Sequence, residues 1–214
     1  PDNLYLVQWR KHLENIFSYT SYASDCGFKG IINTSWSTSG TYGYIYDDKN
    51  EVIAIQPVRE VYPQNGFDML MTAYSNALSD NPLTPDKFLE SYCHTRLGLG
   101  TQEETAVVKE YFNMTQSPVY SFQGDIARID EELRKCTALR ERLDMVRFSK
   151  DAADVARHLR LMLDIRINYL EFKRVDLQIE SKGFSVEDSR AALAQLKSID
   201  KECGGLRKEF IRLN

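Results

Sequence analysis

The feature that most constrains the fold is a long second part of the chain in which no proline interrupts a helical pattern. All six prolines lie at or before Pro118. Beyond it, apolar residues recur every three or four positions, which keeps one face of an α-helix apolar. The first such stripe predicts one long helix and consists of Ile126, Ile129, Leu133, Cys136, Leu139, Leu143 and Val146.

Two more helices are predicted after this one. The first runs from about Lys150 to Ser181 and is ended by Gly183. The second begins at Ser185, whose hydroxyl can cap the first turn. The apolar stripe of this last helix is Leu193, Leu196, Cys203, Leu206, Phe210 and Leu213. Three helices with inward stripes predict an antiparallel three-helix bundle over residues 121–214.

The first part of the chain, residues 1–120, has a different composition and a different pattern. All but six of the aromatic residues lie in it, and we place the boundary between the two parts at about Ser117 to Gln123. It opens with a helical stripe that Gly27 stops, and a short β-rich run, Gly30 to Trp36, follows. The stripe consists of Leu6, Trp9, Leu13, Ile16, Phe17, Thr20 and Ala23.

After Trp36 the sequence predicts a loop, a strand and three helices. The loop is rich in Gly, Ser, Tyr and Asp, and the strand spans Glu51 to Gln56. The first helix carries Phe67, Leu70, Met71, Tyr74 and Leu78 on one face. The second starts at Thr84 with Pro85 in the first helical position, and the third opens with Thr101 and Glu104 as a capping box.

Composition and motifs exclude several function classes. A net charge of −4 and a pI near 5.5 do not fit a nucleic-acid partner, and no apolar run is long enough for a membrane span. No nucleotide or phosphate-binding motif is present, so no cofactor is expected. The scattered cysteines and histidines predict no metal site, and all four cysteines are expected to be buried free thiols. Periplasmic or secreted localisation would require a signal peptide upstream, so localisation stays open.

Three stretches together resemble a known family: GFKGIINTSWSTSGTYGYIYDD, VYPQNGFDMLMTAYSNAL and PLTPDKFLESYCHTRLGL. Their succession is similar to the end of the catalytic barrel in bacterial family 20 glycoside hydrolases, the β-N-acetylhexosaminidases. The resemblance covers about the first 115 residues. It implies a mostly α chain in which the end of a (β/α)8-type barrel, with one or two strands and packing helices, precedes the three-helix bundle.

The resemblance also implies a carbohydrate partner and two substrate-binding residues. Trp36 would stand in the wall of the sugar pocket, where an indole ring suits the C–H face of a pyranose. The alternative is that Trp36 packs between its strand and a helix. Tyr44 is a second candidate contact, whereas Tyr42 and Tyr46 are expected to cover the barrel rim.

The family's catalytic Asp-Glu pair is absent from this chain, so no catalytic residue is assigned. The adjacent acidic pairs at 130–131 and 187–188 are expected to be solvated charges on helices. We therefore expect a fragment that is inactive alone and whose parent releases terminal N-acetylhexosamine units. Two alternatives stay open: a non-catalytic helical interaction or dimerisation module, in line with a possible homo-oligomer, and a fragment of a family 84-like hexosaminidase.

Overall fold

A computed structural model describes residues 9–32, 42–46, 52–57, 68–114, 125–182 and 185–213. Over these ranges the chain is mostly α-helical, as predicted, with two short strands. Two helices and a hairpin come first, in the order α1 (Trp9–Asp25), β1 (Tyr42–Tyr46), β2 (Val52–Pro57) and α2 (Asp68–Ala77). The remaining helices are α3 (Pro85–Thr95), α4 (Gln102–Asn113), α5 (Ile126–Met145), α6 (Ala153–Lys182) and α7 (Val186–Arg212).

Helix α1 buries Trp9, Leu13, Thr20 and Ala23 of the predicted stripe and half-buries Ile16 and Phe17, whereas Leu6 lies outside the described residues. Gly27 follows it with a φ of +72°, a left-handed conformation that glycine adopts without steric cost. The predicted strand does not begin at Gly30, because residues 30–32 have no strand partner in the described parts of the chain. Residues 33–36, the rest of that prediction, lie outside the described ranges.

The predicted loop after Trp36 contains a strand. Strands β1 and β2 form an antiparallel pair in which Tyr44 lies opposite Ile55. The loop prediction was wrong for residues 42–46 because their tyrosines and isoleucine favour extended backbone, which outweighs the neighbouring glycines. The predicted strand at 51–56 is confirmed within one residue by β2.

Both predicted helix starts at Thr84 and Thr101 are confirmed, with Pro85 in the first turn of α3 and a complete capping box on α4. The predicted face of α2 was only partly right. Its buried residues are Met69, Ala73 and Ala77, and both Met71 and Leu78 are exposed. The buried face of α2 thus combines Met69 with two alanines, whose small side chains allow a neighbouring helix to approach closely.

One continuous core extends from α1 to α6. It contains Trp9 of α1, Phe112 of α4, Leu143 of α5 and Met162 of α6. Trp9 and Phe112 pack edge to face with ring centroids 6.0 Å apart, and Tyr92 and Phe112 do so at 6.1 Å. Residues on both sides of position 120 therefore share one apolar interior.

Helices α5, α6 and α7 pack in sequence order, in agreement with a helical bundle. A second core cluster joins α5 to α6 through Ile129, Cys136, Leu170 and Leu177. Helix α7 packs less deeply. Ala192 is its buried residue, whereas Leu193 and Cys203 of the predicted stripe are exposed.

Candidate functional site

The two predicted substrate contacts are only partly placed by the structure. Trp36 lies outside the described residues. Tyr44 lies in the middle of β1, where its backbone pairs with Ile55, and its side chain is not among those described. Both assignments stay predictions.

The described segment that leads toward Trp36 is residues 28–32, and it is attached to two helices. The amide of Phe28 donates to the carbonyl oxygen of Ala23 at 3.0 Å, which closes the end of α1. The hydroxyl of Tyr74 in α2 donates to the carbonyl oxygen of Ile31 at 2.8 Å. Residues 28–32, from which the chain continues toward Trp36, are therefore held in place by α1 and α2.

Large apolar side chains are exposed around this segment. Phe28 and Ile32 are 67% and 87% exposed. Two tyrosines of α1, Met71 of α2 and Leu78 directly after α2 are also exposed, and we call the whole set the α1–α2 apolar surface. Its members are Tyr19, Tyr22, Phe28, Ile32, Met71 and Leu78. Exposed apolar residues that form one contiguous patch mark a binding surface.

A polar cluster holds the start of α2 against α3. The Asp68 carboxylate accepts a hydrogen bond from the Tyr92 hydroxyl at 2.8 Å and a forked pair from Arg96, the shortest at 2.7 Å. Burial alone would raise the pKa of Asp68, but the hydrogen bonds from Arg96 and Tyr92 outweigh burial and lower that pKa. The carboxylate therefore stays ionised, and its hydrogen bonds to Tyr92 and Arg96 hold α2 against α3.

A largely buried ion pair joins α5 to α6. The Arg166 guanidinium, 6% exposed, bonds to the Glu132 carboxylate and lies 5.9 Å from the ring centroid of Tyr169. Asn168, also buried, donates from Nδ2 to the Ile199 carbonyl oxygen at 3.0 Å and connects α6 to α7. These polar groups fix the alignment of the three bundle helices, because a shifted helix would leave a buried charge or amide unpaired.

Burial keeps two thiols and one imidazole of the described residues in their neutral forms. Burial raises the pKa of Cys93 and Cys136 to about 12, so both thiols stay protonated at neutral pH. Burial lowers the pKa of His158 to about 4, which keeps that imidazole neutral. Asp130 and Glu131 are exposed, as predicted for solvated charges. Cys26 and Cys203 are exposed, so the prediction of four buried thiols was wrong for these two.

An open groove of about 550 Å³ runs along the outer side of α5 near Arg174 of α6. Its lining is mostly polar or small and includes no aromatic ring, on which a pyranose would stack. Among the described residues, no group of histidine, cysteine or acidic side chains could hold a metal ion. In the same parts of the chain, no helix combines the length and the apolar character that crossing a membrane requires.

Sequence reasoning missed the α1–α2 apolar surface and the Asp68 cluster for different reasons. Tyr19 and Tyr22 lie off the buried stripe of α1, so their positions alone could have predicted exposure. Asp68 meets Tyr92 and Arg96 only through the packing of α2 on α3, which no local pattern encodes.

The described residues thus form a helical scaffold with exposed apolar side chains on α1, on α2 and in the segment 28–32. Comparison with protein-family models, curated proteins and solved structures finds no match to this chain.

Proposed function

We propose that this chain is the non-catalytic C-terminal part of a glycoside hydrolase that releases terminal N-acetylhexosamine residues. In this proposal the chain supplies the last strand region of a (β/α)8-type barrel, with Trp36 in the wall of the sugar pocket and Tyr44 nearby. The catalytic carboxylates belong to the remainder of the parent enzyme. The helical bundle supports the barrel end from behind.

The observation that carries the proposal is the α1–α2 apolar surface. In a (β/α)8 barrel each outer helix packs on both of its neighbours and on the strands. A chain that contains only the last strand–helix units would leave apolar residues uncovered on the side where the other units of the barrel pack. The exposed rings of Tyr19 and Tyr22 on α1, and of Phe28 at the start of the segment that leads to Trp36, support this reading.

Local chain order supports the same reading. Helix α1 ends at Gly27, and a short segment then runs toward Trp36 while bonded to α2 through Tyr74 and Ile31. In α/β units a helix, a tight turn and a short segment lead in this order to the next strand. The resemblance to family 20 glycoside hydrolases rests on this same stretch of sequence.

The test compares this chain with the full product of its reading frame. The proposal expects upstream strand–helix units and a strand that ends in Asp-Glu. The full product should hydrolyse a chromogenic N-acetylglucosaminide, and the 214-residue chain should not. An upstream sequence without such units, or turnover by this chain alone, would contradict the proposal.

A matched pair of variants in the full product separates the pocket role of Trp36 from simple packing. Trp36→Ala should lower kcat/KM by about tenfold to a thousandfold, because the ring supports the distorted sugar of the transition state. Trp9→Ala removes a ring that packs in the described core, so it should lower folding stability and leave kcat/KM per folded molecule unchanged. Unchanged kinetics in Trp36→Ala would contradict the pocket assignment.

A further inference from the structure

Two polar contacts define how α7 lies on α6. Nδ2 of Asn168 donates to the Ile199 carbonyl oxygen at 3.0 Å, and Nη2 of Arg157 lies 3.1 Å from Oε1 of Glu209. Position 157 of α6 thus faces position 209 of α7, and position 168 faces position 199. Numbers rise along one helix as they fall along the other, so the two helices are antiparallel and these contacts fix their register.

The side of α6 that faces α7 carries a seven-residue repeat. Leu161, Asn168 and Val175 follow each other at this spacing, on the same side of the helix as Arg157. Leu161 and Val175 are 3% and 2% exposed, yet among the described residues neither belongs to the main core or to the second core cluster. Because they share the side of α6 that bonds to α7, we attribute their burial to α7. We call Leu161, Asn168 and Val175 the α6 seam.

The matching residues of α7 give this contact three layers. Ala192 and Leu206 lie seven residues to either side of Ile199. At the antiparallel register they come level with Val175 and Leu161 of the α6 seam. The two outer layers are therefore apolar, and the middle layer contains the asparagine amide. A polar residue at one position of such a repeat fixes the register of two helices at a cost in stability.

Other attachments of α7 are sparse in the described part of the chain. Ala192 is the buried residue of a helix of 27 residues, and Phe210, half-buried, packs against the main core. Gly204 and Gly205 lie inside the helix, where glycine is less favourable than alanine. A side chain at either glycine would meet nothing within 4 Å, so no close packing requires them. Helix α7 therefore depends on α6 for its order, because long helices in water are marginal without packing.

We infer that α7 is a detachable cover of the α6 seam, which leaves α6 as one unit while α1–α6 keep their shared core. Segments with few buried apolar contacts open locally, at a lower free energy than the whole chain. In the open state, α6 exposes two apolar side chains and one amide at a seven-residue spacing. This inference is independent of the proposed hydrolase role, since it rests on residues beyond position 150.

Hydrogen exchange of the 214-residue chain, followed by mass spectrometry, tests the local opening. Amides of α7 should exchange at least about a hundredfold faster than the slowest amides of α5 and α6, because they exchange without unfolding of the core. Equal protection in α5, α6 and α7 would overturn the inference, since α7 would then open only together with the whole chain.

A matched pair of substitutions on two faces of α6 separates local opening from global unfolding. Val175→Ala weakens the α6 seam, so amides of α7 should exchange about tenfold faster. Val155→Ala weakens the main core, which the open state retains. It should speed the slowest amides of α3 and α4 and leave the exchange of α7 unchanged.

Circular dichroism of both variants checks that the helices remain folded. If Val155→Ala speeds α7 as much as Val175→Ala does, α7 has no opening of its own and the inference fails. It also fails if Val175→Ala leaves the exchange of α7 unchanged, because the α6 seam would then not hold α7.

Discussion

At the scale of single residues, burial decides what the titratable groups of this chain do. His158 is fully buried and its pKa lies near 4, whereas an exposed histidine titrates near 6.5. The folded state therefore resists protonation more than the unfolded state does. As the pH falls from about 6.5 to about 4 the unfolded chain gains a proton first, and the free energy of unfolding decreases over that window.

His158→Leu should remove this part of the acid sensitivity. The difference between a pKa of about 6.5 in the unfolded chain and about 4 in the folded chain corresponds to roughly 3 kcal/mol of unfolding free energy, which the wild-type chain loses on acidification. The variant should lose less unfolding free energy by about that amount. Urea unfolding at pH 7 and pH 4 measures it. The control Leu161→Ala, also buried in α6, should lower stability at both pH values and keep the wild-type pH dependence. An unchanged pH dependence in His158→Leu would show that His158 does not cause the sensitivity.

A second prediction at this scale concerns Asp68. Asp68→Ala removes the acceptor of the buried Tyr92 hydroxyl and should cost about 1–3 kcal/mol, because an unpaired buried donor is expensive. Asp86→Ala breaks a comparable ion pair with Arg10 at an exposed position and should cost about 1 kcal/mol or less. Thermal or chemical unfolding compares the two. Equal losses would mean that the Asp68 cluster contributes no more than a surface pair.

At the scale of elements, sequence reasoning succeeded where a signal is local and failed where packing decides. The capping box of Thr101 and Glu104 lies within four residues, and it was readable without a structure. The inward face of α7 was only partly readable. Leu196, Leu206, Phe210 and Leu213 are half-buried as the stripe predicts, but Leu193 is exposed because the approach of α6 selects its neighbour Ala192 for burial. Trp36 lies outside the described residues, so its proposed role stays a prediction.

Gly98 shows how one backbone position joins two loops. Its φ is +70°, and a side chain there would meet Cβ of Ser149 at 2.5 Å. The amide of Ser149 donates to the Leu97 carbonyl oxygen at 2.9 Å, so the loop after α3 and the loop before α6 cannot separate freely. Only a residue without a side chain fits this approach.

Gly98→Ala should therefore destabilise the chain by about 1–3 kcal/mol through backbone strain and the clash with Ser149. Adding Ser149→Gly should recover part of the loss, since it removes the clash and leaves the strain. Gly100→Ala, where nothing lies within 4 Å of the new side chain, should change stability by about 0.5 kcal/mol or less. Chemical denaturation ranks the three variants. A Gly98→Ala chain as stable as Gly100→Ala would refute the close approach.

At the scale of the whole molecule, the main core determines how cooperatively the chain unfolds. The boundary near residue 120 was predicted from a change in amino-acid composition along the chain. Such a change carries no information about contacts between residues that are distant in sequence. Leu143 of α5 and Phe112 of α4 lie in one cluster with Trp9 of α1. Helices on the two sides of that boundary therefore stabilise each other.

Leu143→Ala should lower the stability of the helices on both sides of residue 120. Leu143 is fully buried, so the truncation should cost about 2–5 kcal/mol from lost burial and the cavity that remains. Because the core is shared, hydrogen-exchange protection should fall by the same factor in α3 and α4 as in α6. Met145→Ala, two residues further along α5 and 72% exposed, should leave protection unchanged in all three helices. A cavity in a shared core must lower the free energy of unfolding of every helix that lines it. A loss of protection confined to α5 and α6 would therefore show that the two parts of the chain unfold separately.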